Sequence, residues 1–133
     1  MQIDKIYTLV TGVIKRGDKY LLLRRNQEST FGGTWQFPEG KIEEKETPFN
    51  ALDREIKEEL GLKLSESNFL NILIKEFKAN GGSMLGVKLI FSVSVGKQKI
   101  KLSEDHEDFG WFTKTETMKL DLTPGTEEVL TKV

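Results

Sequence analysis

The stretch Gly40-Lys41-Ile42-Glu43-Glu44-Lys45-Glu46-Thr47-Pro48-Phe49-Asn50-Ala51-Leu52-Asp53-Arg54-Glu55-Ile56-Lys57-Glu58-Glu59-Leu60-Gly61-Leu62 decides the fold. Thr47 offers a hydroxyl to the free N–H groups at a helix start, and Pro48 follows where no N–H is missed. Gly61 supplies the left-handed residue on which helices commonly end. The pattern predicts a helix over 48–60. At about 100° per residue, Glu55, Glu58 and Glu59 fall within one arc of roughly 100°. Phe49, Leu52, Ile56 and Leu60 fall on the neighbouring arc and are expected to face the core. The acids thus border the buried face, where a cleft can form. Glu55 and Glu59 are also a like-charge i,i+4 pair, which costs a few tenths of a kcal/mol. A hard divalent cation such as Mg²⁺, bound by carboxylate oxygens, would offset that repulsion. A solvated acidic face paired with Arg54 and Lys57 is the alternative that spacing alone leaves open.

Outward from this helix, β-branched and apolar residues over 6–14 predict a strand. Arg16-Gly17-Asp18 turns it into a second strand, Lys19–Arg25. Residues 26–40, with Gly32, Gly33, Pro38 and Gly40, read as a long loop. Leu70–Phe77 and Met84–Val95 read as strands joined through Ala79-Asn80-Gly81-Gly82, a hairpin signal. Lys97, Lys99 and Lys101 alternate with Gln98, Ile100 and Leu102, which predicts a half-exposed edge strand. Phe109–Phe112 predicts a last short strand, and Thr115–Lys119 and Pro124–Lys132 predict helices. Such an irregular alternation favours a mixed sheet covered by helices over a doubly wound parallel sheet.

The chain has 133 residues, a length that suits a single domain spanning 1–133. It has no cysteine, which excludes a disulfide scaffold, a Cys-ligated zinc or Fe–S site, and a thiol nucleophile. A net charge of −1 gives no electrostatic footprint for duplex nucleic acid. Met1-Gln2-Ile3-Asp4-Lys5 places charge where a secretory signal needs an apolar run, and no stretch has membrane-spanning length. A cytoplasmic protein with no membrane partner, monomeric or homodimeric, is the expectation.

From Gly40, five residues precede Glu46, seven more precede Arg54-Glu55-Ile56-Lys57-Glu58-Glu59-Leu60, and Gly61-Leu62 closes the run. This resembles the Nudix box, Gly-x5-Glu-x7-Arg-Glu-U-x-Glu-Glu-x-Gly-U with U a bulky aliphatic, at every defined position over 40–62. The chain is similar to the small MutT-like branch of the Nudix hydrolases. That resemblance implies an α/β/α sandwich around a mixed β-sheet, with the box as a loop–helix–loop that holds Mg²⁺ or Mn²⁺. It implies hydrolysis of a nucleoside diphosphate linked to another group, so the partner is a small-molecule nucleotide. Glu55, Glu58 and Glu59 become metal ligands beside a backbone carbonyl at Glu39 or Gly40. Arg54 orients the Glu55 carboxylate, and Glu46 supports the loop end of the box.

In the family the general base is a box glutamate or an acid on a later loop, so Glu55, Glu58, Glu104, Asp105 and Glu107 are the catalytic candidates. Residues 104–107 lie shortly before Trp111, as such acids often do. His106, the one histidine, is expected to be exposed and is given no catalytic role. Arg24 and Arg25, at the end of the second strand, are candidates for gripping phosphates, because guanidinium is planar and always charged. Lys41 is grouped with them. Trp35 and Phe37 are candidates for the wall of a base pocket. Thr126 sits where MutT-like proteins can carry an asparagine that reads oxidised guanine. A hydroxyl lacks the paired donor and acceptor of an amide, which argues against that specificity. The leading expectation is a (deoxy)nucleoside triphosphate diphosphatase that releases a monophosphate and pyrophosphate. The alternatives are action on RNA 5′-triphosphate ends or dinucleoside polyphosphates, or a catalytically silent nucleotide-binding module.

Overall fold

The computed structural model describes residues 2–133; Met1 lies outside the described residues. The chain runs β1 (Lys5–Arg16), β2 (Lys19–Arg25), β3 (Trp35–Gln36), β4 (Glu39–Lys41), α1 (Pro48–Leu60), β5 (Glu66–Ala79) and β6 (Gly82–Ser94). It ends with β7 (His106–Phe112), α2 (Lys114–Thr117) and α3 (Thr126–Thr131). The main path of the sheet is β3-β2-β1-β6-β5, with β4 added on β1 and β7 on β2. β1 and β6 run parallel from Lys5↔Met84 to Ile14↔Val93, and the other pairs are antiparallel, so the sheet is mixed.

The second edge of β1 is shared. Leu9, Val10 and Thr11 pair with β4, whereas Lys15 and Arg16 pair with β2. The sheet therefore splits beside β4. α1 packs on one face, where Val10, Ile14, Phe91 and Val93 meet Leu52, Ile56 and Leu60. On the opposite face Val13, Tyr20, Phe37 and Ile90 pack with Val129 and Leu130 of α3. This is the α/β/α sandwich.

Several expectations are corrected. The presumed loop 26–40 contains β3 and runs into β4, short pieces fixed by Arg24↔Trp35 and Val10↔Gly40 pairing. Residues 97–102 form no strand. Their alternation imitates the strand period, but the backbone N–H of Lys101 bonds the carbonyl of Leu60 at 2.8 Å. Ser103 N–H likewise bonds the carbonyl of Glu59 at 2.9 Å, so the segment caps the helix C-terminus instead of joining a sheet edge. Phe49 does not enter the core. It is 56 % exposed and touches Phe91 only edge-on, with ring centroids 5.3 Å apart. Among the described residues, no helix is long and apolar enough to cross a membrane.

Candidate active site

The helix that carries the acids forms as its caps dictate. The Thr47 hydroxyl accepts from Asn50 N–H at 3.2 Å, and Gly61, at φ 64°, donates its N–H to the Lys57 carbonyl. This places Arg54 and Glu55 against the β4 backbone. The Arg54 guanidinium donates through Nε and Nη2 to both oxygens of Glu46, at 2.7 and 2.9 Å. Its Nη1 donates to Glu55 Oε1 at 2.7 Å, and Nη2 also reaches the Lys41 carbonyl at 3.0 Å. One planar fork thus ties the loop, the helix and a candidate ligand together. Arg54 and then the Glu43 N–H hold the Glu46 carboxyl down to about 2.

Glu55 lies over Gly40 so closely that a Cβ on that glycine would be 2.0 Å from the carboxylate carbon. Glu59 is 5 % exposed, and neither of its oxygens accepts a hydrogen bond. Burial raises its pKa well above the usual carboxylate range, and the neighbouring Glu55 charge raises it further. Burial raises Glu55 too, against the opposing pull of Arg54. Glu58 is 61 % exposed and held only at 3.3 Å by Arg54. The three glutamates therefore share an edge, but no three-residue metal cluster is preassembled among the described residues.

A cleft of about 230 Å³ opens beside β4 on the sheet face opposite α1. Its wall is aromatic. Tyr7 stacks on Phe77 with centroids 6.4 Å apart, and Phe31 meets Phe77 at 6.2 Å. Phe31 takes a left-handed φ of 59°, held there by a 2.6 Å bond from the Thr34 hydroxyl to its carbonyl. Strained backbone of this kind concentrates at ligand sites. Lys41 Nζ lies 4.4 Å from the Tyr7 ring centroid. Deeper in, Lys88 Nζ pairs with Glu39 Oε2 at 3.1 Å, and the Thr11 hydroxyl donates to the same oxygen at 3.1 Å.

The expected site residues divide. Arg25 and Lys41 line the cleft. Arg24 points away, with Nε on the Gly33 carbonyl and its guanidinium over Trp35. Trp35 packs edge-on against Phe112, and Phe37, 1 % exposed, packs against Tyr20, so neither walls the cleft. The cause is strand alternation: Trp35 and Phe37, two residues apart, share the face that packs against Tyr20, Leu22 and Leu130. Thr126 is buried behind Thr123 and Pro124, which line the cleft in its place. Glu104, Asp105 and Glu107 are exposed. Glu107 accepts from Gln27 at 3.2 Å, and none of the three bonds to a box glutamate among the described residues. His106 was expected in solvent and is instead buried, 3.4 Å from Glu59. Burial, and secondarily Arg25, lower its pKa, against the opposing pull of Asp105 and Glu39.

Sequence reasoning missed Tyr7, Phe31, Phe77 and Lys88. Only Lys88 carried a signal: it is a charge at an inward position of an apolar strand, between Met84 and Ile90.

A family model for the NUDIX domain matches residues 6–133. The nucleoside triphosphatase NudI of an Enterobacter species is 29% identical over 134 residues, covering 94% of both chains. An 8-oxo-dGTP diphosphatase of Proteus vulgaris is 31% identical over 77 residues, 58% of this chain and 69% of its own. The crystal structure of a MutT NUDIX hydrolase from Burkholderia pseudomallei superposes with a TM-score of 0.82 at 27% identity, over 96% of this chain and 98% of that one. With the family model covering nearly the whole length and the glutamate-bearing helix in its place, the chain belongs to the Nudix hydrolases, in their MutT-like branch.

Proposed function

We propose that the protein is a divalent-metal-dependent (deoxy)nucleoside triphosphate diphosphatase that cleaves its substrate to a monophosphate and pyrophosphate. The observation that carries this reading is Glu59, a buried carboxyl without a hydrogen-bond donor beside a second carboxyl, Glu55. An all-oxygen, anionic edge of this kind fits Mg²⁺ or Mn²⁺, and it is costly without a cation. Glu55, Glu58 and Glu59, with a carbonyl of Glu39 or Gly40, would hold the ion. Bound there, it neutralises phosphoanhydride charge and acidifies water.

The chain's own residues do the rest. Arg54 fixes the Glu55 carboxylate, leaving one oxygen free to take a proton from the attacking water. Arg25 and Lys41 offer positive charge to the phosphate chain at the cleft edge, and Tyr7, Phe31 and Phe77 offer flat surfaces to a base. One relative matched over nearly its full length is a nucleoside triphosphatase, which supports a triphosphate substrate. Thr126, withdrawn behind Thr123, presents no amide to a base, which supports broad base choice over oxidised guanine alone. The test is pyrophosphate release across a panel of ribo- and deoxynucleoside triphosphates, 8-oxo-dGTP included, with Mg²⁺ or Mn²⁺. Comparable kcat/KM on several bases is expected. Turnover confined to RNA 5′-ends, to dinucleoside polyphosphates or to no substrate at all would overturn it.

A further inference from the structure

His106 enters the acidic edge from the far side. The loop before β7 is pinned at three points: Lys101 and Ser103 N–H on the last carbonyls of α1, and Asn26 Nδ2 on the Glu104 carbonyl at 2.6 Å. That anchoring turns the three acids of the loop outward and the imidazole inward. His106 and Glu59 side chains are each 7 % exposed, and Nε2 lies 3.4 Å from Oε2. They are not joined by a hydrogen bond. Both Glu59 oxygens and His106 Nδ1 are buried without partners.

Two donor atoms held side by side but not bonded to each other are arranged as ligands of one cation are. Atoms each roughly 2.1 Å from a shared ion lie about 3.0 Å apart in an octahedron and about 3.4 Å apart in a tetrahedron. A second role, simple packing, would leave a polar ring unsatisfied against an anion, where an apolar side chain would cost less.

We propose that His106 is a nitrogen ligand of the divalent-ion site formed by the box glutamates, making it a mixed nitrogen–oxygen centre that favours Mn²⁺ over Mg²⁺. The inference rests on the reading that Glu55, Glu58 and Glu59 bind the ion, and it adds a donor that this reading does not contain. Imidazole suits first-row transition ions, whereas Mg²⁺ keeps to oxygen.

Because His106 is the one histidine in the chain, the test is unambiguous in an untagged protein. Mn²⁺ is added to the full chain and its electron spin-echo envelope modulation is recorded. The proposal expects imidazole ¹⁴N modulation in the wild type and none in His106→Gln. It also expects His106→Gln to weaken Mn²⁺ roughly tenfold in a calorimetric titration, with Mg²⁺ affinity nearly unchanged. Bound Mn²⁺ without nitrogen modulation would overturn the role of His106 and leave the glutamate centre standing. Failure of the wild type to bind Mn²⁺ would overturn both. Should His106→Gln fail to fold, the wild-type spectrum decides alone.

Discussion

Gly40 has no room for a side chain, because the Glu55 carboxylate occupies the space a Cβ would take, at 2.0 Å. Gly40→Ala is therefore expected to push Glu55 off the Arg54 fork. Its kcat should fall at least tenfold, about 1.4 kcal/mol in activation free energy, with KM for the nucleotide little changed. Steady-state kinetics checks this, and an unchanged kcat would show that Glu55 works from elsewhere. Arg54 supports a second prediction. Lysine keeps the charge but cannot serve Glu46, Glu55 and the Lys41 carbonyl together. Arg54→Lys should lower kcat tenfold or more and also cost about 1–2 kcal/mol in denaturant unfolding, since loop and helix lose a shared anchor. At this scale the box was legible because its chemistry is local in sequence. The cleft wall was not. Tyr7, Phe31 and Phe77 come from three separate segments, and only folding brings their rings together.

α1 was legible from Thr47, Pro48 and Gly61, whose capping roles depend on neighbours a few residues away. The segment 97–102 was misleading for the same reason in reverse: its strand-like alternation is local, but the carbonyls that capture its N–H groups belong to the end of α1. That contact makes the helix C-terminus a joint of the site. Gly61 has φ 64°, and a Cβ there would meet Lys101 Cβ at 3.1 Å. Gly61→Ala should destabilise the fold by about 1–2 kcal/mol, readable as a shift of the urea midpoint. It should also loosen the 101–106 segment, seen as faster amide exchange at Lys101 and Ser103.

For the whole molecule, burying Glu59 makes stability depend on pH. An acid whose folded pKa is raised binds its proton more tightly in the folded than in the unfolded chain. Stability therefore declines as pH rises from the ordinary carboxylate value near 4.5 through the raised folded value. Without metal, Glu59→Gln should be more stable than wild type at neutral pH, by about 1–3 kcal/mol, and its Tm should vary less with pH above 4.5. Adding Mn²⁺ should raise the wild-type Tm and leave that of the variant nearly still. Thermal unfolding in EDTA and in Mn²⁺ between pH 5 and 8 checks the ranking. A mixed sheet covered by helices was foreseeable from the element pattern and the sandwich from the resemblance of the box, but the parallel β1–β6 pairing and the division of the other edge of β1 between β4 and β2 were not. No local signal specifies which distant strands become neighbours.

The proposed chemistry turns on which phosphorus of a nucleoside triphosphate the water attacks. Glu55 lies against Gly40 of β4, the strand whose Glu39 and Lys41 line the cleft together with Arg25, and from this placement we expect attack at the central, β-phosphorus. Turnover in H₂¹⁸O with Mg²⁺, read by mass spectrometry of the products, should place the label in pyrophosphate and leave the monophosphate unlabelled. Label in the monophosphate, or release of orthophosphate with a nucleoside diphosphate, would contradict it.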